Sequence, residues 1–180
     1  MNDRHGLSSV TDDRRAAQDK LRRIVSEHEA VLEELATAVE RDDRALGQSI
    51  RKAEPESLRV VPEWALPHLR RWTVSEGGKL SFEDQGMALL SRLGALYADV
   101  LLRNNPFLEW RVGDDPENPQ KYVYQWHPVV GVKSAEMEID PFAIVVNVVR
   151  GILRGSRRSD ALVSAYHTWT RDARREMPKG

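Results

Sequence analysis

The spacing of apolar residues changes at Asn104-Asn105-Pro106, so the two sides of that tripeptide cannot form the same kind of element. Upstream, Met87, Leu90, Leu93, Tyr97, Val100 and Leu101 fall on one face of a helix. Leu89 and Leu96 make much of the remaining surface apolar too, which places this helix at the centre of the molecule. Ser81 is positioned to open it, with Glu83 and Asp84 in a first turn whose free N–H groups favour carboxylates. Downstream the period is two. Phe107 to Val112 and Lys121 to Trp126 read as strands, the second with Tyr122, Tyr124 and Trp126 on one face. Gly113 to Gln120 (GDDPENPQ) between them has the turn formers of a hairpin loop. Val129 to Val132 and Glu136 to Ile139 add two short extended pieces, so the pairing predicted is local and antiparallel.

Helical signals resume at Asp140-Pro141, an N-cap carboxylate followed by proline at the first helical position, where a missing N–H costs nothing. Phe142 to Leu153 follows. Ser159 is then placed to cap a last helix striped with Leu162, Tyr166, Trp169, Ala173 and Met177. At the other end, residues 1–12 are polar and aperiodic, the pattern of a disordered tail. Leu21, Val25, His28, Leu32, Leu35 and Val39 then follow at spacings of 4, 3, 4, 3 and 4, which predicts a long amphipathic helix over Asp13–Arg41. Leu46 and Ile50 keep the beat, and Gly47 favours a break before Pro55. Residues 55–79 carry Pro55, Pro62, Pro67 and Gly77-Gly78 around Trp64, Leu66, Leu69 and Trp72, a connector with aromatic anchors. The expected fold class is α+β: an antiparallel meander of three to four strands packed against several helices. Residues 13–180 form one domain, of which 13–54 are a helical N-terminal extension.

The charge balance narrows the function. A formal net charge of −1 gives no global field toward nucleic acid, and the most apolar run, Phe142 to Val146, is far too short to span a bilayer. Met1 to Arg15 lacks the apolar core of a signal peptide, and the absence of cysteine fits a reducing compartment, so the expected location is cytoplasmic. Absent cysteines also remove thiolate catalysis and cysteine-based zinc sites. His5, His28, His68, His127 and His167 show no ligand spacing that puts two imidazoles on one helix face. Asp12-Asp13, Asp42-Asp43 and Asp114-Asp115 are adjacent in sequence, unlike carboxylates that converge from separate elements. No phosphate-binding glycine loop and no nucleophile elbow is present. No catalytic, cofactor-binding or metal-binding residue is therefore assigned, and no cofactor is expected. An enzyme is disfavoured, although a pocket gathering Asp99, His127 or Asp140 would revive a hydrolase or nuclease reading.

Binding surfaces are the remaining candidates. Trp110, Tyr122, Tyr124 and Trp126 would line an aromatic strand face. Residues 150–180 hold eight Arg or Lys against three acids, and Arg171, Arg174 and Arg175 share a face of the last helix. That face would suit an acidic partner, or nucleic acid in a less favoured reading. The 21–39 stripe matches a coiled-coil seam over about two and a half heptads, so it either packs on its own domain or forms a homodimer, in which His28 would weaken association on protonation.

From Leu93 to Phe142 the chain runs LGALYADVLLRNNPFLEWRV, a polar hairpin, HPVVGV and then IDPF. This helix with Gly94, Tyr97 and Asp99, a strand with Trp110 and a helix start at Asp140-Pro141-Phe142 resembles small bacterial α+β domains, some grouped with immunity proteins of toxin systems. The resemblance covers about 50 of 180 residues. It implies a helix-flanked antiparallel sheet and a protein-binding role, and it transfers no catalytic residue.

Overall fold

The computed structural model describes residues 4–76, 79–114, 125–133 and 137–177. The chain begins with α1 (Arg4–Glu40), breaks at Arg41–Asp43 and turns into α2 (Arg44–Lys52). A 3-10 turn (Pro55–Arg59), a π turn (Val61–Ala65) and the short α3 (Leu66–Arg71) lead to a hairpin of β1 (Thr73–Glu76) and β2 (Lys79–Phe82). The central helix α4 (Asp84–Asn104) precedes β3 (Leu108–Val112), β4 (Pro128–Val132) and β5 (Glu138–Ile139), and α5 (Pro141–Leu153) and α6 (Ala161–Arg175) close the fold. The second sheet has the order β3-β4-β5, antiparallel throughout, with Leu108 opposite Val132 and Val130 opposite Ile139. The class is α+β, as the spacing predicts.

The core sits on α4. Leu90, Leu93, Leu96, Tyr97, Val100 and Leu101 are almost fully buried, against Leu32, Leu35, Ala36 and Val39 of α1, Val145, Val148 and Val149 of α5, and Leu162 and Ala173 of α6. β4 is buried at every position, so it lies between two layers. Gly94 lets α5 come close: a Cβ there would stand 3.1 Å from the Phe142 Cα. Asp140 caps α5 by accepting from the Phe142 and Ala143 amides at 2.9 and 3.0 Å.

Several boundaries differ from the sequence reading. The helix over residues 13–41 starts at Arg4, so residues 4–12, read as part of a tail, continue it; adding a turn to a nucleated helix is cheap even for a polar segment. The break before α2 lies at Arg41–Asp43, where Asp43 caps the new helix through Leu46 N at 2.9 Å. Gly47 instead permits the fold-back, since its Cβ would meet that of Glu40 at 2.7 Å. Ser81 belongs to β2, and α4 opens after Glu83, because Lys79–Phe82 pairs with Thr73–Glu76 before the helix can start. Asp160, not Ser159, holds the N-cap position of α6. Val25 is 51% exposed, while Ile24 turns inward with Leu21 and His28. Leu32, Leu35 and Val39 are buried by this chain's own helices, the first of the two uses the stripe allows.

The partner of β3 is also different. Tyr122 and Tyr124 lie outside the described residues, but Gln125 and Trp126 are in a turn and β3 pairs with Pro128–Val132. The cause is local. Trp126 has φ +59°, its amide donates to the Gly113 carbonyl at 2.9 Å, and Gly113 N donates to His127 O at 2.8 Å. Two residues thus face one, a bulge whose left-handed first position is ordinarily glycine.

Candidate functional site

The bulge aims Trp126 at the side of α1. A shallow cleft is bounded there by Asp13, Ala16, Ala17 and Lys20 of α1 and by Gln125, Trp126 and His127. The small side chains Ala16 and Ala17, at one helix turn from Lys20, leave the room that a larger residue would fill. The Arg14 guanidinium stands 6.0 Å from the Trp126 ring centroid and 3.7 Å from the Asp114 carboxylate, which also accepts from Gln125 Nε2 at 2.8 Å. An aromatic face, an ammonium, a carboxylate and an imidazole therefore converge on one mouth.

His127 is oriented from behind. Its Nδ1 lies 3.4 Å from Asp140 Oδ2, the oxygen that α5 capping leaves over, and its side chain is 51% exposed. Nδ1 toward the carboxylate leaves Nε2 for whatever enters the cleft. Asp140→Ala is expected to cost about 1 kcal/mol in urea unfolding through loss of the cap, and Asp140→Asn a few tenths.

Asp99 does not join this group. Its side chain is only 7% exposed and lies between His28 Nε2 at 3.0 Å and Arg103 Nε at 2.9 Å. Burial pushes the Asp99 carboxyl up, but His28 and Arg103 outweigh it and hold the group below its ordinary value. Its Oδ2 and the His28 Nδ1 are buried without a hydrogen-bond partner. Two His–Asp pairs thus stand apart, one inside the α1–α4 interface and one at the cleft. A signal for the first existed: His28 and Asp99 each interrupt an apolar helix face.

The other sequence candidates disperse. Trp110 stacks on Phe142 at 6.4 Å and packs against the core, as do Trp64 and Trp72, while Trp169 is part of it. Trp126 is the one tryptophan among the described residues outside that cluster. Arg171 and Arg175 both pair with Asp172, and Arg174 donates to Asn105 Oδ1 at 3.3 Å, so the α6 arginines are tied to their own helix and to the end of α4. Among the described residues no group of three or more His, Asp or Glu side chains is placed to hold a metal ion, and no helix is long and apolar enough to cross a membrane. The chain matches no family model, no curated protein and no solved structure.

Proposed function

We propose that this chain is a non-enzymatic, immunity-like module that binds a protein partner in the bacterial cytoplasm, and that the Trp126 cleft is where the partner docks. One observation carries the reading. A bulky aromatic residue occupies a left-handed bulge position where glycine would sit without strain, and its ring is spent on a cleft instead of the core. Left-handed geometry at a non-glycine residue costs about 1–2 kcal/mol, so Trp126 is kept for something other than folding.

Trp126→Gly separates the two roles. The variant is expected to be no less stable than the parent, because relief of the left-handed strain offsets the packing lost. Capture of a partner from the source cell by the immobilised chain is expected to fail. A variant that still retains the partner, or that unfolds easily, would assign Trp126 a structural role and sink the proposal. The hydrolase or nuclease alternative requires turnover that disappears in His127→Ala. Homodimerisation through residues 21–39 has little left to use, since Val25, about half exposed, is the most exposed member of that stripe. Sedimentation of the full chain as a dimer that Val25→Glu dissolves would restore it.

A further inference from the structure

The Trp126 ring already has a ligand, and this chain supplies it. The Arg14 guanidinium meets two groups of the bulge, standing 6.0 Å from the Trp126 ring centroid and 3.7 Å from Asp114 Oδ2. Those two groups are fixed. Gly113 N donates to His127 O at 2.8 Å and Trp126 N to Gly113 O at 2.9 Å, so main-chain bonds set Asp114 and Trp126 in register, and Gln125 Nε2 holds the carboxylate at 2.8 Å. An indole and a carboxylate pinned side by side form a receptor for a planar cation, which can lie on the ring while it donates to the oxygen.

Arg14 is held far less firmly than the receptor it occupies. A distance of 6.0 Å is at the outer limit of a cation–π contact, and 3.7 Å is too long for a hydrogen bond. Arg51, Arg92 and Arg103, by contrast, reach their carboxylates at 2.9, 3.0 and 2.9 Å. The Arg14 side chain is 58% exposed and belongs to the half of α1 that lies outside the core. Releasing it to water therefore costs the fold little, while the ring and the carboxylate stay in place.

We infer, on the reading of the Trp126 cleft as the docking site, that the partner enters it with an arginine, which takes the place of Arg14 on the Trp126 ring and the Asp114 carboxylate. The seated Arg14 is what specifies the occupant: the site accepts a guanidinium from its own chain, so it accepts one from another. Asp13, next to Arg14, adds a second carboxylate at this end of the cleft, whereas the Lys20 ammonium lies two helix turns further along α1. Arg14 is then a resident competitor, and one consequence has a definite sign. Removing it must tighten the partner's arginine, because a site filled from within most of the time binds more weakly by the fraction of time it stands open.

The test is an NMR titration of the full chain with a short peptide of one arginine between glycines, read at the Trp126 indole N–H, which is assigned by its loss in Trp126→Gly. The arginine peptide is expected to shift that resonance, and the same peptide with neutral citrulline to leave it unmoved. Arg14→Gln is expected to tighten the peptide about fivefold and Asp114→Asn to weaken it about fivefold. Arg59→Gln removes one positive charge from a surface ion pair elsewhere and is expected to change nothing. No shift with the arginine peptide, an equal response to citrulline, or binding to Arg14→Gln no tighter than to Arg59→Gln would each overturn the inference. Its failure is separable from failure of the docking site. A partner that the parent captures and Trp126→Gly loses, together with an arginine peptide that ignores Trp126, keeps the cleft and discards the arginine. A partner that Trp126→Gly retains discards the cleft as its docking site, and with it the partner's arginine, even where the peptide binds.

Discussion

Gly94→Val is expected to lower the unfolding free energy by about 3 kcal/mol, and Gly94→Ala by about 1 kcal/mol, in urea titration of the full chain. On helix propensity alone the alanine variant would be more stable by up to about 1 kcal/mol, since Gly94 is interior to α4. The opposite sign follows from what lies across from it. The Phe142 Cα is backbone, held by the Asp140 cap and Pro141 at the start of α5, and cannot swing aside as a flexible side chain would. Valine adds two methyl groups to the same contact and must part α4 from α5, the helices that bury Val145, Val148 and Val149. A stabilised Gly94→Ala protein would mean that the close approach is not a constraint of the fold.

Asp99→Ala is expected to cost about 2 kcal/mol, because the substitution strands His28 inside the α1–α4 interface, while Arg103 is half-exposed and can turn to water. The pH dependence has a fixed sign. Asp99 titrates below its ordinary value of 3.8 when folded, so its contribution is complete above that pH and is lost as acid brings the solution down through the folded value. Acid unfolding of the parent below about pH 4 should therefore be steeper than that of Asp99→Asn, which has no carboxylate to protonate. Identical acid transitions in the two proteins would show that the pair contributes nothing to folding.

Much of this architecture is readable from residue order because its determinants are local. The period change at Asn104-Asn105-Pro106, the Asp140-Pro141 cap and the alternation over 107–112 act within a few residues, and the structure places β3, β4, β5 and α5 where they point. What was not legible depends on partners far away in the chain. Glycines at 77 and 78 look like a link until Thr73–Glu76 is found paired with Lys79–Phe82. Val25 and Ile24 are equally apolar neighbours, and which one faces inward is decided by where α4 lies. Alternation puts Trp126 on a strand face because it cannot reveal a bulge: the extra residue shifts every side chain after it to the other face. The cleft was invisible for the same reason, since its walls are more than a hundred residues apart. His127 and Asp140 are 13 residues apart in sequence, and only the turn back from β5 into α5 brings them together.

The 37 residues of α1 span about 55 Å, and the helix is anchored unequally along that length. Leu32 to Val39 are part of the core, whereas Ala17 is buried outside it and Leu21 and Ile24 are only half covered. The helix therefore behaves as a lever clamped at one end. Amide hydrogen exchange is expected to be set by local opening in its first half and by global unfolding in its second. Because that half is one wall of the Trp126 cleft, the proposed docking there makes a concrete expectation: a bound partner is recorded as added amide protection along residues 13–20, with no change along Leu32 to Val39.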